Sequence, residues 1–335
     1  MTDKNDPTCL VTGATGLIGR RVVDHLSETG HSVLAVGRAP QAFEDRENVT
    51  YRPLDLQDPA AVSAFMEQYK PHRMIHLAWE ATPGTFWQSP ENFRWIAASA
   101  HLLDRFVAQG GERAILTGSC AEYDWGQGPQ DPQSSHSPKS PHSSQNSQSP
   151  YSLQGPLHET ESPLNPRSYY SASKTAFHDL ARVIARDIDL VWARVFFPYG
   201  PEEDSSKLIS HILREIGADR LPDFKTPGRA VDFIHLSDVA HCFERLLAAS
   251  VTGPVNICSG IALRPPEIAA AAARLLNKPD LAATLDGQLA DLDDELTIVG
   301  DRQHLDQVLT QTGQTPPSRF LGIDDGLRSY FRTES

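Results

Sequence analysis

The sequence predicts an α/β chain built on a doubly wound parallel sheet, with a smaller α+β portion at the C-terminal end. Three observations predict it. Short apolar runs alternate with longer segments of helical period through the first two-thirds of the chain. A glycine-rich turn lies between the first apolar run and the first helix. The alternation then loosens after Gly200. Strand–helix alternation is the pattern of a parallel sheet with helices on both faces, and right-handed crossovers make such a sheet doubly wound.

Taken in order, Cys9–Val11 reads as a strand, Leu17–Thr29 as a helix and Ser32–Val36 as a strand. Val49–Arg52 is a short strand, Pro59–Tyr69 a helix and Arg73–Leu77 a strand. Pro90–Gln109 is a long helix, Arg113–Thr117 a strand, Ser168–Arg186 a helix and Leu190–Val195 a strand. Beyond Gly200, Lys207–Ile216 is helix-like, Ala218–Ala230 irregular and Val231–His235 a strand. Leu236–Ala249 reads as helix, Pro254–Cys258 as strand and Pro266–Leu276 as an Ala-rich helix, and the acidic stretch Asp291–Glu295 as a solvated face. Between Pro129 and Pro150 the chain offers only small polar residues, Pro, His and Lys. Such a segment buries nothing to offset the entropy of ordering it, so a disordered surface insertion at about 127–154 is expected.

Composition narrows the function. With 335 residues, 39% hydrophobic and 22% charged, the chain has ample material for a core. A net charge of −13 argues against a nucleic-acid backbone binder. No apolar run approaches the ~18–20 residues of a membrane span. The polar start, Met1 to Pro7, lacks the apolar stretch of a signal peptide. Cys9, Cys120, Cys242 and Cys258 show no metal spacing. No metal is therefore expected, and a reducing cytoplasm is the expected location.

Thr12-Gly13-Ala14-Thr15-Gly16-Leu17-Ile18-Gly19 follows the first strand and opens the first helix. Gly13 permits the tight turn, Gly16 lets backbone approach a pyrophosphate, and Gly19 lets the helix pack on the sheet. The free N–H groups of the turn, Thr15, Leu17 and Ile18 included, then face phosphate at the positive end of the helix. In this context the pattern predicts a Rossmann-type dinucleotide site. After the second strand stands Gly37-Arg38, with no acidic residue to select NAD. An arginine fork suits a 2′-phosphate, so NADP(H) is preferred and NAD(H) is the alternative. Asp55 is a candidate acceptor for the adenine amino group.

Tyr170 and Lys174 are spaced i, i+4 on a predicted helix, which puts both on one face. A free phenol titrates near ~10 and an adjacent ammonium would lower it. Tyr170 would then exchange a proton with a hydroxyl or carbonyl while a nicotinamide exchanges hydride, and Lys174 would also hold the nicotinamide ribose. Where the fifth strand ends, Thr117-Gly118-Ser119-Cys120 places a hydroxyl, Ser119, to polarise the reacting carbonyl. Cys120 is the weaker donor.

Together these residues resemble the extended short-chain dehydrogenase/reductase superfamily of NAD(P)-dependent nucleotide-sugar epimerases, dehydratases and reductases. The resemblance rests on TGATGLIG (12–19), Asp55-Leu56, HLAW (76–79), GSCAEY (118–123), YSASK (170–174), RVFFPYGP (194–201), DFIHLSDVA (232–240) and NICSG (256–260). It implies a cofactor site at Gly13, Gly16, Gly19, Asp55, Leu56, Leu77, Ala78 and Trp79, with Thr117, Phe197 and Pro198 near the nicotinamide. It implies catalysis by Ser119, Tyr170 and Lys174, with Cys120 the alternative alignment for the hydroxyl. Glu80, Cys120, Glu122, Phe197 and Arg229 are the expected substrate contacts, and Trp79 and Trp87 follow the fourth strand where such a pocket is built. The diphosphate arginine expected at Val231 is missing, which leaves Arg229, Lys207, Arg214, Arg220 and Lys225 as substitutes.

On this reading residues 1–200 form the NADP-binding portion and 201–335 the mainly substrate-binding portion. The expected activity is NADPH-dependent reduction of a nucleotide-linked keto-sugar, and the absence of an aspartate at Ala121 and a threonine at Cys120 counts against dehydration. A 4-epimerase with retained cofactor is the alternative, followed by a dehydratase or a non-catalytic NADP-binding module. The resemblance also implies a homodimer packed through Pro90–Gln109 and Ser168–Arg186.

Overall fold

The computed structural model describes residues 8–41, 43, 46–125, 155–293, 296–312 and 320–331. The Ser/Pro-rich insertion at 127–154 lies outside them, as do Met1–Pro7 and, within the acidic stretch, Asp294 and Glu295.

The first half follows the predicted alternation: β1 (Cys9–Thr12), α1 (Leu17–Glu28), β2 (Val33–Gly37), β3 (Val49–Pro53), α2 (Pro59–Tyr69), β4 (Arg73–His76), α3 (Glu91–Ala108) and β5 (Arg113–Ser119). After the insertion come α4 (Tyr169–Ile184) and β6 (Asp189–Val195). Local chemistry sets the helix starts. Asp58 Oδ1 accepts from the Ala60 and Ala61 amides at 3.0 and 3.1 Å, with Pro59 opening α2. Ser168 and Ser171 cap α4 reciprocally, each hydroxyl accepting from the other's amide.

The remaining elements are β7 (Phe197–Tyr199), α5 (Leu208–Gly217), β8 (Arg229–His235), α6 (Leu236–Ala248), β9 (Gly253–Ile257), β10 (Ala262–Leu263), α7 (Pro265–Leu275), α8 (Pro279–Ala290), β11 (Leu296–Ile298), α9 (Gln303–Gln311) and α10 (Ile323–Arg328). Strands β3-β2-β1-β4-β5-β6-β9 form one seven-stranded parallel sheet. The predicted doubly wound fold is therefore present. Residues beyond Gly200 rejoin it, because β9 pairs with β6 and α6 packs on α1 through Val22, Leu26, Val239 and Phe243. Helices α2, α3 and α4 cover the opposite face through Val62, Leu102, Phe106 and Phe177. A second, four-stranded sheet is built around β8, which pairs with β7, β10 and β11. Helices α5, α7, α8 and α10 pack together behind it around Ile212, Ile268 and Leu285.

The strand order reverses direction between β1 and β4, which opens a crevice at the C-terminal strand ends. A buried polar chain braces that crevice: Thr12 Oγ1 meets His76 Nδ1 at 2.7 Å, and His76 Nε2 meets Ser99 Oγ at 2.8 Å. Burial lowers His76 to about 3, so the ring is neutral. At the turn after β1, Gly13 has φ +66° and a Cβ there would stand 2.7 Å from the Ala78 amide. A Cβ on Gly19 would overlap the Gly13 carbonyl oxygen. Gly19→Ala is expected to cost about 1–3 kcal/mol because backbone must yield, read as a lower urea midpoint at unchanged slope.

Candidate active site

A cavity of about 600 Å³ occupies the crevice. Its floor is the turn Gly13, Thr15, Gly16, Leu17, Ile18 and Gly19. Gly16 caps α1 without a side chain in the way, so the first N–H groups of the helix face the cavity. Arg38 lines the far end, at the tip of β2. Leu56, Leu77, Ala78 and Trp79 form one wall. Thr117, Ser119, Cys120, Tyr170, Phe197 and Pro198 close the other end. These residue types fit a dinucleotide: bare backbone donors for phosphate, apolar side chains for the rings and a cation at the rim.

Tyr170 is half-buried and edge-on to Phe86 and Trp87, with ring centroids 5.0 and 5.6 Å away. Burial pushes its phenol up, and the Glu122 carboxylate adds to this. This corrects the expectation that Lys174 lowers the phenol. The lysine ammonium points elsewhere, with Nζ donating to the Thr117 carbonyl at 2.8 Å and lying 3.8 Å over the Trp79 ring. It stands 5.9 Å from the Tyr170 ring centre. Burial lowers Lys174 to about 7, opposed by the Glu122 carboxylate.

Of the two alignments, Ser119 is the one that brings a hydroxyl to the Tyr170 end of the cavity. Its hydroxyl also accepts from the Ala121 amide at 3.2 Å, which caps the short 3₁₀ turn Cys120–Glu122. Cys120 lines the cavity, but burial pushes its thiol well up, so it is a neutral, weak donor.

Several predicted site residues are not on the cavity wall. Lys174 sits behind Thr117 and Trp79. Asp55 is exposed and turns back to the Gln57 amide at 3.0 Å, while its neighbours Leu54 and Leu56 face inward. Glu80 Oε1 accepts from the Thr82 amide at 2.9 Å. Glu122 is fully buried and taken by the Ser119 amide, Trp192 and Arg194. It anchors the strand end and does not contact substrate space. Arg229 is buried behind Trp125, 5.3 Å from that ring. Of the surface cations named for a diphosphate, Lys207 lines the cavity, whereas Arg214 and Arg220 pair with Glu215.

Sequence reasoning missed Phe86, Trp125, Asp204 and the backbone of Phe196 on the wall. Trp125 lies only two residues past the GSCAEY motif, and an aromatic so close to a strand end was the available signal. Trp87 does line the cavity, and with Phe86, Trp125, Phe197 and Tyr170 it forms an aromatic enclosure at the Tyr170 end.

The lysine yields a prediction with a definite sign. Below pH 7 the fold carries the whole cost of a buried ammonium. Between about 7 and the ordinary 10.5 the folded chain has released a proton that the unfolded chain still holds, so this contribution becomes more favourable as pH rises. Lys174→Met is expected to unfold at higher urea than the wild type below pH 7, with the gap narrowing across that window.

The NAD dependent epimerase/dehydratase family matches residues 9–154 and 145–258. The dTDP-glucose 4,6-dehydratase of Neisseria gonorrhoeae is 26% identical over 328 residues, which is 90% of this chain and 86% of that protein. The dTDP-6-deoxy-L-talose 4-dehydrogenase (NAD(+)) of Aggregatibacter actinomycetemcomitans is 22% identical over 261 residues, 75% of this chain and 84% of that one. The crystal structure of a UDP-glucose 4-epimerase from Thermotoga maritima with UDP-glucose has the same fold, with a TM-score of 0.74 at 18% identity, covering 97% of this chain and 98% of that one. Motifs, fold and family match agree: the chain belongs to the NAD dependent epimerase/dehydratase family, within the extended short-chain dehydrogenase/reductases that its sequence resembles.

Proposed function

We propose that the chain reduces the carbonyl of a nucleotide-linked keto-sugar, with NADPH as its cofactor. One observation carries this reading: a phenol kept protonated by burial and the Ser119 hydroxyl line the same end of a dinucleotide-shaped cavity. NADPH, when bound, supplies the hydride. Tyr170 gives its proton to the carbonyl oxygen, and Ser119 donates to the same oxygen as negative charge builds there. Lys174, donating to the Thr117 carbonyl, braces the strand end that carries Ser119. Arg38 supports NADPH over NADH, since its fork reaches the cavity where an acidic residue would select NAD. Lys207 supports an anionic carrier such as a diphosphate. The aromatic faces suit the C–H face of a sugar ring. The locked position of Glu122 weighs against dehydration, which needs a free acid and base beside the sugar.

Two further features support this reading. Helices α3 and α4 present Phe93, Tyr169, Leu180 and Val183 to solvent, with Val183 67% exposed. We infer that this apolar strip is the interface of a homodimer. The four cysteines are free and buried, as suits the reducing cytoplasm.

The test is NADPH oxidation against a panel of dTDP- and UDP-linked keto-sugars, repeated with NADH. Oxidation of NADPH in preference to NADH is expected with at least one substrate. Turnover of a nucleotide sugar without added reductant would replace the reductase reading by an epimerase. Tyr170→Phe is expected to lower kcat by about 10²–10⁴-fold with NADPH binding intact, and an unchanged kcat would remove Tyr170 from catalysis. For the dimer, light scattering should give about 74 kDa, twice the 36.9 kDa chain, and Val183→Asp should reduce it to the monomer.

A further inference from the structure

A cluster of ligating side chains lies outside the cavity, on the far side of the large sheet's first helix. His25 comes from α1, and His241 and Glu244 come from α6. Their ligand atoms all lie within 4.8 Å of one another. The two imidazoles meet edge to face with centroids 5.8 Å apart. Glu244 is only 5% exposed. His25 Nε2 is buried and has no hydrogen-bond partner among the described residues. Glu244 Oε2 is 2.7 Å from Arg245 Nε but out of line for a hydrogen bond, and both atoms are otherwise unpartnered among the described residues. Buried polar atoms without partners are uncommon and call for an explanation.

We propose that His25, His241 and Glu244 bind a Zn²⁺ ion that clips α1 to α6. Two imidazoles and a carboxylate are a recurrent zinc donor set, with water in the fourth position. A tetrahedral site needs donors about 3.3–3.5 Å apart at metal distances of about 2.0–2.1 Å, so side-chain rotations of about an ångström would close this one around an ion. Adjacent residues on α6 one turn apart, His241 and Glu244, already share a face. Each imidazole in its neutral form offers a ring nitrogen lone pair to a metal. His31 Nε2, 3.4 Å from Glu244 Oε1, steadies the carboxylate. Arg21 and Arg245 oppose an incoming cation, and Glu28 favours it. Arg245 keeps a route to solvent, since 15% of its side chain is exposed. The site lies at the opposite end of α1 from the glycine turn and depends on no part of the proposed reaction.

Zn²⁺ is titrated calorimetrically into full-length, EDTA-treated and dialysed protein, with thermal unfolding measured in parallel. One Zn²⁺ per chain and a Zn²⁺-dependent rise in Tm are expected. His25→Gln and His241→Gln should each weaken binding by about 100-fold or more and abolish the Tm rise, with circular dichroism confirming the fold. Arg245→Gln should tighten binding by removing the opposing charge. No saturable binding by the wild type, or unchanged binding by the His25→Gln/His241→Gln double variant, would overturn the site. Weaker binding by Arg245→Gln would overturn the geometry proposed for it.

Discussion

Glu122 is enclosed completely, and its carboxylate is met by three donors from β5 and β6, in four hydrogen bonds. The Ser119 amide donates at 2.7 Å, Trp192 Nε1 at 3.0 Å and Arg194 Nε at 2.9 Å. Arg194 in turn donates to the Tyr123 hydroxyl and the Glu159 carbonyl, and Tyr123 donates to Asn256 at 2.7 Å. The ends of β5, β6 and β9 are thereby tied into one network. A buried ion pair gains little over an apolar replacement, but removing one partner leaves an uncompensated charge and costs about 3–5 kcal/mol. The network therefore acts on geometry more than on net stability. It holds the backbone of Ser119 at the mouth of the sheet, and with it the hydroxyl on the cavity wall.

The same dryness that makes this network costly sets the protonation of the cavity. Rings of Phe86 and Trp87 pack edge-on against the phenol, and Trp125 and Phe197 continue the same wall. Burial raises Tyr170 and lowers Lys174, so both groups lean to their neutral forms. The Trp79 face and the Thr117 carbonyl offer the amine the stabilisation that solvent does not. The protonated phenol is the form that the proposed reduction requires.

What was legible in the sequence was contiguous. The glycine turn carries its strand, its helix start and its phosphate-facing amides within eight residues, so reading it needs no tertiary information. The same holds for Tyr170 and Lys174 on one helical face, and for the strand alternation up to β6. Side-chain direction was not legible where the deciding partner is far away. Glu122 and Arg194 are 72 positions apart, and nothing near Glu122 says that it turns into the core. Asp55 and Glu80, read as ligand contacts, each turn one carboxylate oxygen to an amide two residues on. Strands of two or three residues, such as β10 and β11, are too short to show a period. The return of the chain to the large sheet at β9 was hidden because a five-residue parallel strand looks the same in either sheet.

The two ends of the cavity are built by different means, and this bears on what can vary. At the phosphate end the contacts are backbone amides and missing side chains, and a Cβ at Gly13 or Gly19 meets backbone. Few substitutions are compatible with that. At the other end the wall is assembled from side chains on separate segments, held by contacts outside the cavity. Asp232 on β8 accepts from the Ser259, Gly260 and Gly300 amides at 2.8, 2.9 and 3.1 Å, pinning two loops to the smaller sheet. Arg229 on the same strand backs Trp125. Phe86, Trp87 and Trp125 can therefore change identity without disturbing the anchors beneath them. A fold with one end fixed by backbone sterics and the other by replaceable side chains keeps its cofactor geometry while its substrate changes.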